Sequence, residues 1–186
     1  MWLIWLMWPL VTEMRWRLSW EAVVVGVAVF VMWVGIDNSW TRQDTLWIHL
    51  GLSHPPKREP LSWNPFALFG EDSTWAWVCA VGRIAGSTLV VPPMEETFYR
   101  SFLYRWIHRT KFETVPLGTF AWLPFILTAL VFGFSHNEWL AGILCGFAYQ
   151  WLVIRKQRLG DAMTAHAITN FILGVWIVWT GTWRFW

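Results

Sequence analysis

Pro92-Pro93-Met94-Glu95-Glu96-Thr97-Phe98-Tyr99-Arg100 places two adjacent carboxylates and a guanidinium inside a chain that is otherwise mostly hydrocarbon. An isolated charge in an apolar setting is costly or neutralises itself, so such groups either pair or do chemistry. With a helix resuming after the two prolines, Glu96 and Arg100 stand at i, i+4 on one face and can form a hydrogen-bonded ion pair. Glu95 points about 100° away and is left without that partner. The spacing therefore assigns Glu96 and Arg100 to structural support and Glu95 to reactivity.

The surroundings of this stretch set the fold class. The 186 residues are 56% hydrophobic and only 14% charged, with 19 Trp and 13 Phe, where a soluble domain carries about a quarter charged residues. The chain reads as all-α, a polytopic membrane helical bundle with a helix broken at Pro92-Pro93 and a polar intramembrane cavity. Cys79 and Cys145 both lie in apolar runs and form neither a disulfide framework nor a zinc spacing. No basic run is long enough for nucleic acid. The tryptophans read as interfacial belts and packing residues.

Outward from the central stretch, a single membrane domain covers 1–186. Residues 1–11 are apolar but shorter than the roughly 20 residues a span needs, and are expected to be an interfacial anchor or part of a longer span. Residues 20–36 give the first crossing, with Gly26 and Ala28 as small residues for close helix contact. Residues 37–73 form a polar extramembrane or interfacial loop, acidic at Asp37, Asp44, Glu59, Glu71 and Asp72 and punctuated by Pro55-Pro56, Pro60 and Pro65. Its apolar runs 46–52 and 63–69 suit the bilayer surface. The core helices occupy 74–180: residues 74–108 as one broken crossing, then apolar segments at 117–134, 139–154 and 162–180. Asp161 is the expected N-cap of the last.

Basic clusters at 15–17, 105–111 and 155–158 should share the cytoplasmic side, with the acidic loop opposite. That parity creates a tension, because a full-length hairpin over 117–154 carries His136 to the far side. His166 lies only about 9 Å along its helix from the cytoplasmic end.

The polar groups stranded in apolar segments are Glu95, Glu96, Arg100, His136, His166 and Asn170, with Arg83 as an outlier. His166 and Asn170, at i, i+4, project from one helix face. One carboxylate, two imidazoles and an amide suffice for hydrolysis: Glu95 and one histidine deprotonate a water, while the other histidine and the amide donate to an oxyanion. Simpler readings exist for each residue. The glutamates suit a helix first turn, His136 suits a loop at a membrane boundary, His166 and Asn170 suit interhelical hydrogen bonding, and Arg83 can snorkel. Their joint occurrence with complementary chemistry favours a catalytic site.

Glu95-Glu96…Arg100, Phe132…His136 and His166…Asn170 reproduce the EExxxR, FxxxH and HxxxN pattern, and with it the chain resembles the CAAX-protease and bacteriocin-processing group of intramembrane proteases. The stretch from Arg83 to Glu96, and 26–37, also look like the bacterial exosortase-associated subfamily of that group. The resemblance implies a membrane-embedded glutamate-type endopeptidase without a catalytic metal or cofactor. Glu95 and His136 would activate water, His166 and Asn170 would form the oxyanion site, and Glu96 and Arg100 would fix the geometry. It further implies a membrane protein or peptide substrate, residence in the bacterial inner membrane and a functional association with an exosortase-type protein-sorting system. Two other readings stand beside it: a zinc metalloprotease using Glu95, His136 and His166 as ligands, and a non-catalytic membrane scaffold or immunity protein. The shared-site reading requires the four side chains to lie within about 10 Å of one another, and so requires 139–154 to be tilted or displaced toward the cytoplasm.

Overall fold

The computed structural model describes residues 12–54 and 62–186. The amino-terminal stretch 1–11 and the part of the polar connection holding Pro55-Pro56, Glu59 and Pro60 lie outside the described residues. Among those described, the secondary structure is helical, with no strands.

Helix α1 spans Trp20–Gly35. It begins where Ser19 turns extended and its Oγ accepts from the Ala22 amide at 3.3 Å, one of the amides a helix start leaves unsatisfied. Its inner face carries Ala22 and Gly26. A methyl on Gly26 would come within 2.6 Å of the Ala165 carbonyl oxygen in the last helix, so the backbones touch there. Gly26 thus meets the close-contact expectation, whereas Ala28 is exposed; the small-residue seam runs at i, i+4 through Ala22 instead.

The polar connection is partly structured, with short helices α2 (Gln43–His49) and α3 (Pro65–Phe69). Asn64 caps α3 through bonds from the Phe66 and Ala67 amides, and Phe66 packs edge-on against Trp77, centroids 5.0 Å apart. At the other end, the Gln43 amide donates to the Asn137 carbonyl at 2.6 Å and its side chain to Phe134 at 3.1 Å. The connection is therefore pinned beside His136.

The central segment follows one helical path over Thr74–His108, built from α4 (Thr74–Leu89), α5 (Val91–Glu96), a π-helical turn at Thr97–Leu103 and α6 (Tyr104–His108). The interruption falls at Val90, just ahead of the prolines. Pro92 and Pro93 cannot donate to the carbonyls of Thr88 and Leu89 and crowd them. In the first turn of α5 their missing N–H groups cost nothing. The π-helical turn, unforeseen in the sequence pattern, follows directly after Glu96; such widened turns concentrate at functional sites.

Helix α7 (Trp122–Phe134) and α8 (Trp139–Lys156) form an antiparallel hairpin. The expected segment from 117 is shorter because residues 115–121 form a loop held by the Tyr104 hydroxyl, which donates to the Thr119 carbonyl and accepts from the Ala121 amide. Pro124 falls in the first turn, where it is tolerated. Gly142 and Gly146 let the two helices meet backbone to backbone, since added methyls would lie 2.8 Å from Gly133 Cα and 3.0 Å from Ala129 Cα.

Helix α9 (Gly160–Thr180) packs against α1, α4, α5 and α8. Asp161 is not its N-cap. The helix starts a residue earlier, and the buried Asp161 carboxylate instead accepts from Ser19 Oγ at 2.5 Å and pairs with Arg158. Among the described residues, two stretches are long and apolar enough to cross a membrane, Thr74–His108 and Gly160–Thr180. Helices α1 and α7 are apolar but shorter.

Candidate active site

Glu96 and Arg100 are both fully buried, and Arg100 Nε lies 3.1 Å from Glu96 Oε2. The ion pair expected from the i, i+4 spacing is thus present across the start of the π-helical turn, but Arg100 Nε and Glu96 Oε2 do not meet in a hydrogen bond. The other carboxylate oxygen, Glu96 Oε1, lies 2.9 Å from His166 Nδ1, so one glutamate joins the central segment to α9. Three aromatic rings surround the Arg100 guanidinium: Phe132 at 4.3 Å, Tyr99 at 5.5 Å and Tyr149 at 5.8 Å. Their π-faces favour a buried cation.

Glu95, His136, His166 and Asn170 all line one cavity of about 230 Å³, ample for more than one water. The Phe132 ring lies near both imidazoles, 4.6 Å from His136 and 6.3 Å from His166, centroid to centroid. Glu95 Oε2 is buried and has no hydrogen-bond partner among the described residues. His136 follows the end of α7, and its Nδ1 lies 2.7 Å from the Phe132 carbonyl oxygen. A carbonyl only accepts, so Nδ1 carries the proton and a neutral His136 presents its lone pair at Nε2. Asn170 donates one amide hydrogen to the Ser87 carbonyl at 2.9 Å, which fixes the amide and leaves its second hydrogen available.

Other groups at the cavity escaped the sequence reading. Tyr149 is fully buried, stacks on His166 at 5.2 Å and donates to Thr169 Oγ1 at 2.7 Å; Thr169 in turn donates to the Gly26 carbonyl at 2.8 Å. The only hint of this chain was a hydroxyl in an otherwise apolar run, which needs a partner when buried. Glu138, in the connection between α7 and α8, is buried at the cavity wall. Burial, reinforced by Asp37, pushes its carboxyl above the ordinary range. Arg83, already the outlier among the polar groups of the sequence, lines the cavity as well and stacks over Trp63 and Trp186, 5.5 Å from each ring. Among the described residues no three His, Cys, Asp or Glu side chains are grouped so as to hold a metal ion.

Helices of membrane-crossing length thus bring a carboxylate, two imidazoles and an amide to one cavity. Residues 72–172, just over half of the chain, match the Type II CAAX prenyl endopeptidase Rce1-like family, and the chain belongs to that family. It is accordingly a membrane protein of a protease family. The matched region includes all six residues singled out above. No curated protein and no solved structure matches the chain.

Proposed function

We propose that this protein is a glutamate-type intramembrane endopeptidase in a polytopic helical bundle, with Glu95, His136, His166 and Asn170 as its catalytic residues. The observation that carries the reading is the common cavity of these four side chains, with an unpartnered Glu95 oxygen and a His136 oriented through Nδ1. A water between Glu95 and His136 Nε2 loses a proton to Glu95 as its oxygen attacks the scissile carbonyl carbon. The resulting oxyanion accepts from the second Asn170 amide hydrogen and from His166 Nε2. Because His166 Nδ1 faces Glu96, Nε2 can donate only from the imidazolium, whose charge the Glu96 carboxylate balances. Collapse breaks the C–N bond, and the proton held by Glu95 passes to the leaving amine. Glu96 and Arg100 are positioning residues that orient His166.

Large exposed apolar side chains, among them Trp20, Trp75, Trp122 and Trp179, suit lipid contact better than water. The substrate is a membrane protein or peptide entering from the bilayer or the cytoplasmic face. The bacterial inner membrane is the setting in which the subfamily resemblance would operate, with an exosortase-type sorting system as functional associate. Incubation of purified protein with candidate membrane peptides tests the reading: cleavage by wild type and none by Glu95→Gln supports it, and equal cleavage by both refutes it.

A further inference from the structure

Two basic stretches far apart in sequence, Arg15–Arg17 and Arg155–Arg158, meet at the end of the molecule where α8 ends and α9 begins. Residues 15–17 lie directly on Gly160: a methyl there would meet the Arg15 carbonyl oxygen at 2.1 Å and the Arg17 amide nitrogen at 2.8 Å. The segment is tied down by the Arg17 amide donating to the Gly160 carbonyl at 3.4 Å and by Thr164 Oγ1 donating to the Arg17 carbonyl at 2.8 Å. The backbone under both arginines is therefore fixed on α9.

Beside them opens a second cavity, about 330 Å³, lined by Arg15, Arg17, Arg158 and Gln157 over apolar Leu117 and Leu159. It is separate from the candidate active site, with which it shares no lining residue. The acids nearby already have cations. Glu13, also on its wall, is 3.2 Å from Arg105 and accepts from Ser101. Asp161 is paired with Arg158, and Glu21 lies 2.6 Å from Lys156. Arg15 and Arg17 are exposed, and neither guanidinium has an ion-pair or hydrogen-bond partner among the described residues. Two forked donors thus face a preformed concavity whose one carboxylate, Glu13, is already paired with Arg105, beside the positive end of the 21-residue α9, which no side chain caps.

We infer that this pocket binds a phosphate-bearing anion, the chemistry shared by a phosphodiester lipid headgroup and free phosphate. Guanidinium forks match phosphate oxygens bidentately, and basic pockets at the cytoplasmic side of membrane helices suit anionic headgroups.

The test uses the full chain in neutral detergent, offered equal phosphatidylglycerol and phosphatidylcholine, with retained lipid read by native mass spectrometry; inorganic phosphate is titrated in parallel. Wild type should retain the anionic lipid about tenfold or more over the zwitterionic one, and R15Q/R17Q should lose that preference. The charge-matched R109Q/R155Q, whose residues are exposed outside the pocket, should keep it. Phosphate binding to wild type but not to R15Q/R17Q, without lipid preference, assigns the same pocket to free phosphate. Identical lipid retention and phosphate binding in wild type and R15Q/R17Q overturns the inference, as does equal loss in both double variants. Should R15Q/R17Q melt early, the single variants R15Q and R17Q carry the same comparison.

Discussion

Glu96, fully buried, has the Arg100 guanidinium 3.1 Å from one carboxylate oxygen as an ion pair without a hydrogen bond, and His166 Nδ1 2.9 Å from the other. The first was legible in the sequence because i, i+4 is a local spacing; the second joins residues 70 apart and has no local signature. His166 and Asn170 likewise shared a predictable helix face, but the anchoring of Asn170 on Ser87 depends on how α4 and α9 pack. Two outcomes follow at this scale. Arg100→Ala should destabilise the protein by about 3–5 kcal/mol, because it leaves Glu96 buried with one partner lost, measured as a melting shift in detergent against an unshifted Glu95→Gln. Asn170→Ala should lower kcat by about 10²–10³ with KM nearly unchanged, as for one lost oxyanion donor. A loss confined to KM would make Asn170 a binding or packing residue.

Close backbone contacts decide how the elements sit. Gly26 against Ala165, and Gly142 against Gly133, leave no room for side chains. Gly26→Val and Gly142→Val should each force their helices apart, costing about 1–3 kcal/mol, read as a lower melting temperature. Gly26→Val should also reduce activity, since Thr169 links Gly26 to Tyr149 and so to His166. The helical segments were readable from apolar runs bounded by prolines and charges. Their true ends were not, since the loop at 115–121 and the early start of α9 depend on Tyr104 and Ser19 reaching across from other elements. The π-helical turn left no mark in the hydrophobic pattern, which stays helical through it. The tension between the charge pattern and a shared histidine site eases at this level: α7 has only 13 residues, roughly 20 Å of helix, too short to carry His136 across a bilayer of about 30 Å.

For the whole molecule, the basic clusters and the acidic connection propose one orientation, with 15–17, 105–111 and 155–158 on the cytoplasmic side. Cysteines placed singly at Asp72 and Arg109 in a Cys79→Ser, Cys145→Ala background should label from opposite sides of sealed vesicles; labelling from the same side would contradict the charge-derived topology. Family membership was readable from three short motifs, whose six polar residues carry chemistry that apolar helices otherwise exclude. The cavity that unites Glu95, His136, His166 and Asn170 depends on long-range packing and appeared only in the fold. Catalysis by Glu95 is tested most directly by the turnover of a membrane peptide substrate by purified wild type and Glu95→Gln in the same bilayer, with and without a metal chelator. A glutamate-activated water predicts chelator-insensitive cleavage by wild type and none by Glu95→Gln at unchanged melting temperature. Cleavage that survives Glu95→Gln, or that a chelator abolishes and zinc restores, would contradict it.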